Sequence, residues 1–180
     1  MANIIATEYI TLDGVMEAPN KWSFDFWSED SAAFKYQELF ASGSLLLGRE
    51  TYTGFAAAWP TMEGTGDFGE RMNSLPKYVV STTLEKAEWN NSHIIKENVL
   101  EELKKLKETE KEDILLCGSA QLFRSLMEAN LIDEYRLMLH PVVVGTGKRL
   151  FTEDVSRKSF SLIKTQTFSG GIVVLTYQPK

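Results

Sequence analysis

The stretch DILLCGSAQLFRSLMEANLIDEY, from Asp113 to Tyr135, constrains the fold more than any other part of the chain. A strand-like apolar run ends in Cys-Gly-Ser and passes at once into a segment with Leu122, Phe123, Leu126 and Met127 turned inward at helical spacing. A continuously apolar strand needs cover on both faces. A helix that follows with no spacer has to pack back on the sheet it has just left. Units of this kind, repeated, give a mostly parallel sheet between helical layers.

The repetition is present. NIIATEYITL is rich in β-branched residues and predicts a first strand ended by Asp13-Gly14. VMEAPNKWSFDFW, with Pro19 and Asn20 among aromatic residues, reads as a long loop. A helix over EDSAAFKYQELFA follows, capped by Ser28 or Asp30 and closed by Gly43. SLLLG predicts a short buried strand, RETYTGFAAAW a helix stopped by Pro60, and TMEGTGDFGE a loop. KYVVST and SHIIK read as strands. NVLEELKKLKETEK reads as an amphipathic helix, with Asn98 as cap and Glu101 three residues on. DEYRLMLHPVVVG predicts a strand with Pro141 at a bend. SFSLIKTQTF and GIVVLTYQP predict a hairpin turning at Gly170-Gly171. The expected fold is α/β over residues 1–180 as one domain: a three-layer α/β/α arrangement, mostly parallel, with an antiparallel C-terminal hairpin.

Composition narrows the function. A net charge of −6 argues against a nucleic-acid surface. No run is long and apolar enough to span a bilayer. The opening residues lack a basic flank and a small-residue cleavage site, and Cys117 is the only cysteine. Together these predict a cytoplasmic protein with no secretory leader and no intrachain disulfide. His93 and His140 lie far apart and, with one cysteine, provide no spaced zinc set. Gly-x-Ser-x-Gly is absent, which speaks against a serine hydrolase. Gly-x-Gly-x-x-Gly is absent too, and Val142 stands where a phosphate loop ending in Gly147-Lys148 needs its first glycine.

Three strand ends share a chemistry. Gly48, Arg49 and Thr51 follow one strand; Ser81, Thr82 and Thr83 follow another; Gly118 and Ser119 open a helix. In open α/β sheets ligands bind beyond the carboxyl ends of the strands. The first amides of a helix lack internal partners and favour negative charge, so Ala120 and Gln121 could meet a pyrophosphate. Arg49 supplies a planar fork suited to a phosphate. Taken singly, each motif is more often an ordinary turn, cap or surface charge.

In their order, LLLGRETYTGF, LPKYVVSTTL, CGSAQLFRSLMEANLIDEYRL and HPVVVGTGKRLF resemble the dihydrofolate reductase-like superfamily. The branch is the one related to the reductase domain of the riboflavin-biosynthesis deaminase-reductase, whose opening TLDGVMEAPNKW also resembles. The resemblance implies NADPH as cofactor. Gly48, Arg49 and Thr51 would bind the adenosine-side phosphates, with Arg49 on the 2′-phosphate. Ser81 and Thr82 would add hydroxyls, and Gly118, Ser119, Ala120 and Gln121 would hold the pyrophosphate. The loop from Leu12 to Trp22 would cover the nicotinamide. Relatives carry Gly-Gly before that helix, often joined by a cis peptide; here the pair is Cys117-Gly118, and the sequence leaves its geometry open.

The resemblance also implies that Asp30 is the carboxylate that binds the heterocycle and helps deliver a proton, with Asp13 as a second candidate and a helix-start or turn role as the plain alternative. Trp22, Phe26 and Phe34 would line a flat substrate pocket, or serve as core. Related reductase domains are homodimers, which implies the same here. The implied activity is hydride transfer from NADPH to a C=N or C=O bond of a small heterocycle. Pterins, aminopyrimidine ribose phosphates and small carbonyls remain open as substrates. A true dihydrofolate reductase and a non-catalytic NADPH sensor are the competing readings.

Overall fold

The first strand lies in the middle of the sheet. In the computed structural model, which describes residues 1–180, β1 (Ile4–Thr11) pairs in parallel with β5 (Asp113–Leu116) on one side and β6 (Glu134–His140) on the other. Beyond β5 come β2 (Ser42–Gly48), β3 (Lys77–Val80) and β4 (Ser92–Ile95), all parallel. Beyond β6 come β8 (Val173–Pro179) and β7 (Phe160–Thr167), both antiparallel to their neighbours. The eight strands run in the order β4-β3-β2-β5-β1-β6-β8-β7. The chain thus runs outward from β1 to β4, returns to insert β5, and continues on the far side of β1.

Strand alternation explains the two helical layers. Ile4, Ala6, Leu46, Ile114 and Leu116 face one side, where they pack with Leu103 of α4 (Val99–Thr109) and with Phe123, Leu126 and Met127 of α5 (Ala120–Glu128). Ile5, Leu45, Leu47 and Leu115 face the other. There they meet Leu39 of α1 (Glu29–Phe40), Tyr52 of α2 (Arg49–Ala58) and Met72 of α3 (Gly66–Ser74). The expected three-layer α/β/α fold with an antiparallel C-terminal hairpin is the observed one.

Several local expectations change. The segment read as loop around Thr61–Glu70 contains the start of α3. Its glycines hide a helix that is held from outside: Arg71 donates to the Ser42 carbonyl at 2.7 Å, and Met72 is buried. Asn98 stands at the α4 cap position in the left-handed region (φ 50°) and makes no side-chain cap hydrogen bond. At α1 the cap is Ser28, in a reciprocal box with Ser31. Gly43 lies within β2 and does not close α1.

Lys77 shows how a charge is stored in the second layer. It is fully buried, with its ammonium 4.1 Å from the Trp89 ring centre. It donates to the carbonyls of Asn73, Leu75 and Asn90 at 2.7–2.9 Å. These carbonyls belong to the α3 end and the turn before β4, so the lysine closes both. Lys77→Met keeps the stem and orphans the carbonyls; urea denaturation should record a loss of about 2 kcal/mol.

Candidate active site

Because β3, β2, β5 and β1 are neighbours and parallel, their carboxyl ends reach one edge of the sheet. The Gly48 amide donates to the Gly118 carbonyl at 2.8 Å. A Cβ on Gly48 would stand 2.8 Å from the Ser119 nitrogen, and one on Gly118 would stand 2.9 Å from Thr51 Oγ1. Gly118 also has φ +89°, a region that L side chains rarely adopt. Glycine at both positions is therefore a condition for the close approach of these two turns. Ser119 caps α5, accepting from the Leu122 amide at 3.5 Å. The first-turn amides of Ala120 and Gln121 have no carbonyl behind them in the helix.

Arg49 opens α2 and is exposed; its Nη1 lies 3.5 Å from Thr83 Oγ1 and so reaches the turn after β3. In that turn Ser81 is buried and its hydroxyl accepts from the amides of Thr83 and Leu84, at 3.2 and 2.9 Å. Ser81 thus shapes the loop, while Thr82 is exposed at its surface. The structure brings Gly48, Thr51, Gly118 and Ser119 into contact and sets Arg49 and the Ser81 turn beside them. The cis peptide falls on Gly118-Ser119 and not on Cys117-Gly118, one residue later than the pairing of motifs implied.

The loop after β1 is stitched to the segment after β6. Leu12 donates to Val142, Met16 and Glu17 donate to Lys148, and Leu150 donates back to Gly14. Asp13 belongs to this seam. Its carboxylate accepts from Thr11 Oγ1 at 2.5 Å and from the Gly145 and Val144 amides at 2.8 and 3.3 Å. The Thr11 hydroxyl and these amides hold its pKa down at about 2. Trp22, buried, donates to the Glu17 carbonyl at 2.9 Å and packs edge-on against His140, with ring centres 5.1 Å apart. Phe26 joins the same aromatic group, 6.4 Å from His140. Phe34 packs apart from it, 5.6 Å from Phe168 near the hairpin tip.

Asp30 is committed to structure. Its carboxylate accepts from the Ser28 hydroxyl and the Ser31 amide, and from the amide and hydroxyl of Ser169 at 2.9 and 3.0 Å. The Ser28 hydroxyl, then Ser169, hold its pKa at about 2. A carboxylate so held has no proton to give near neutral pH. What it does is tie the start of α1 to the tip of the C-terminal hairpin.

Sequence reasoning missed a buried carboxyl group beside the Gly118 turn. Glu8 is 3% exposed, on the α5 side of β1 between Ala6 and Ile10. Its Oε1 has no hydrogen-bond partner, and its Oε2 lies 3.7 Å from where a Gly118 Cβ would be. Burial lifts its pKa to about 8, against the opposing pull of Lys35 and the Gly118 amide. Strand alternation was the available signal: in IIATEYIT it places Glu8 on the apolar face. Cys117, the residue after β5, is driven up to about 12 by burial and is no nucleophile at neutral pH.

A parallel α/β/α sandwich of this strand order, with paired glycine turns at the strand ends beside an open helix N-terminus, defines a dihydrofolate reductase-like domain. The structure is similar to a protein from Shewanella sp. PV-4 assigned provisionally to riboflavin biosynthesis, with a TM-score of 0.79 at 21% identity over 100% of this chain and 99% of that one. It is also similar to Enterococcus faecalis dihydrofolate reductase in complex with NADP(H) and RAB-propyl, with a TM-score of 0.66 at 16% identity over 99% and 96% of the two chains. The chain belongs to the RibD C-terminal domain family, whose model matches residues 2–174. In sequence it is 33% identical to the uncharacterized protein YyaP of Bacillus subtilis (strain 168), over 97% of this chain and 93% of that one.

Proposed function

We propose that the protein is an NADPH-dependent reductase acting on a C=N or C=O bond of a small heterocycle, within the reaction class of the RibD reductase domain. The observation that carries this reading is the contact of the Gly48 and Gly118-Ser119 turns at the open start of α5, with Arg49 alongside. The open start of α5 suits a pyrophosphate: first-turn amides without partners in the helix and a helix dipole of the right sign. Gly48, Thr51, Gly118, Ser119, Ala120 and Gln121 would hold the pyrophosphate, with Ser81 and Thr82 bordering it. Arg49 would take the 2′-phosphate. The bound cofactor supplies the hydride; the chain supplies placement, exclusion of water behind the Leu12–Trp22 loop, and a proton.

Isothermal calorimetry with NADPH and NADH tests the reading. Arg49→Ala should weaken NADPH by roughly 10–100-fold, the value of a lost charge-assisted hydrogen bond, and leave NADH within about twofold. Equal losses for both would remove Arg49 from the 2′-phosphate. Absence of NADPH binding by the unaltered protein would end the reductase reading. Binding without oxidation across a panel of pterins and ribosylaminopyrimidines would favour a sensor.

A further inference from the structure

The reading above needs a proton donor, and the carboxylate first expected to serve is tied down. Asp30 spends its oxygens on Ser28, Ser31 and Ser169, and Asp13 on Thr11, Val144 and Gly145. His140 has an unpartnered Nε2, but it is fully buried among Trp22, Tyr9 and Phe26. Glu8 differs from all three. It has one free oxygen, it is almost wholly removed from water, and its other oxygen looks onto the Gly118 turn beside Thr51 and Met16. A ligand that reaches past that turn, under the loop that carries Met16, would be beside it.

We propose that Glu8 is the proton-holding group of this site, meeting the bound ligand through its carboxyl group and protonating the atom that gains charge when the substrate is reduced. The inference rests on the reductase reading. As a reduced nicotinamide gives a hydride to the carbon of C=N or C=O, the π bond breaks. The nitrogen or oxygen then takes the Glu8 proton, leaving a carboxylate that recovers its proton from water when the product departs. The surroundings keep that proton in place. Burial dominates; Glu38 on α1 adds repulsion, while Lys35 on α1 and the Gly118 amide oppose it, and Cys117, just after β5, is the other titratable neighbour. The site therefore has an acid that is still protonated at neutral pH, close to the optimum for general acid catalysis.

Infrared difference spectroscopy and calorimetry, on the unaltered protein and on Glu8→Gln, test this with NADP⁺ as the probe. A protonated-carboxyl carbonyl band should be present near neutral pH, absent in Glu8→Gln, and shifted when NADP⁺ is added. Calorimetry should give the two proteins the same NADP⁺ affinity within about threefold. If the unaltered protein binds NADP⁺ and the band is missing or does not shift, the assignment to Glu8 is overturned while the cofactor reading stands. If NADP⁺ does not bind the unaltered protein, both fall. With whichever heterocycle the unaltered protein reduces, Glu8→Gln should lower kcat about 100-fold with KM unchanged. It should also abolish the fall in kcat expected as pH rises past about 8. A purely structural Glu8 would leave that pH profile unmoved.

Discussion

Replacement of Glu38 by alanine is expected to destabilise the protein by about 3 kcal/mol. Glu38 is buried, its side chain 1% exposed, and it anchors α1 to the sheet. It forms an ion pair with Lys35, accepts from Thr7 Oγ1 at 2.9 Å, and meets Arg136 of β6 at 3.1 Å. Removing the carboxylate leaves two cations in a place that was built around it, with Lys35 12% and Arg136 22% exposed at the side chain. That partial exposure puts the expected loss at the lower end of what breaking a buried pair costs, about 3–5 kcal/mol. The exposed pairs Lys104–Glu101 and Lys105–Glu102 on α4 are the natural control, each worth about 0.5 kcal/mol or less. Urea denaturation of Glu38→Ala, Glu38→Gln and Glu101→Ala should rank them in that order of loss. A Glu38→Ala curve that overlays Glu101→Ala would show that α1 is not held through this network.

The second large effect is a pH dependence with the opposite sign to that of most carboxylates. Below its ordinary value of 4.5, Glu8 carries a proton in both folded and unfolded chains. Between 4.5 and about 8 only the folded chain keeps it. The folded state then binds the extra proton, so each pH unit in that window removes about 1.4 kcal/mol of stability. Above about pH 8 the proton is lost from both and the dependence levels off. The full drop is on the order of 5 kcal/mol. Glu8→Gln holds the same shape without the proton, so the difference in unfolding free energy between the two proteins isolates this residue. That difference should move in favour of Glu8→Gln by several kcal/mol from pH 5 to pH 8. A difference that stays flat would mean that Glu8 is ionised in the folded protein. The proposed donor is thus a residue that the fold would hold more easily as glutamine.

Much of this architecture is written locally. Runs such as LLLG and ILLC are apolar at every position, because both faces of β2 and β5 are covered, and the helices behind them carry their inward residues at helical spacing. The turns that meet at Gly48 and Gly118 are legible as motifs, since glycine is required where two backbones approach. What could not be read depends on partners far away in sequence. The helix α3 has two glycines and few inward residues, and is stabilised by its contact with Ser42. Asp30 has the form of a catalytic acid until Ser169, 139 residues away, is placed on it. Glu8 looks like an ordinary strand residue until β5 and α5 cover it. In each case the local pattern is right and the long-range partner decides the role.

The central position of β1 has a consequence during synthesis. Its only strand partners are β5 and β6, and β5 begins at Asp113. At about 5–20 residues per second, the ribosome needs roughly 5–20 s to add the residues that separate the end of β1 from its first partner. For that interval an eight-residue segment, almost all of it destined for burial, has two unsatisfied edges. Nascent-chain lengths that stop short of β5 should therefore be the ones that recruit holding chaperones, and binding should fall away once α5 has left the exit tunnel.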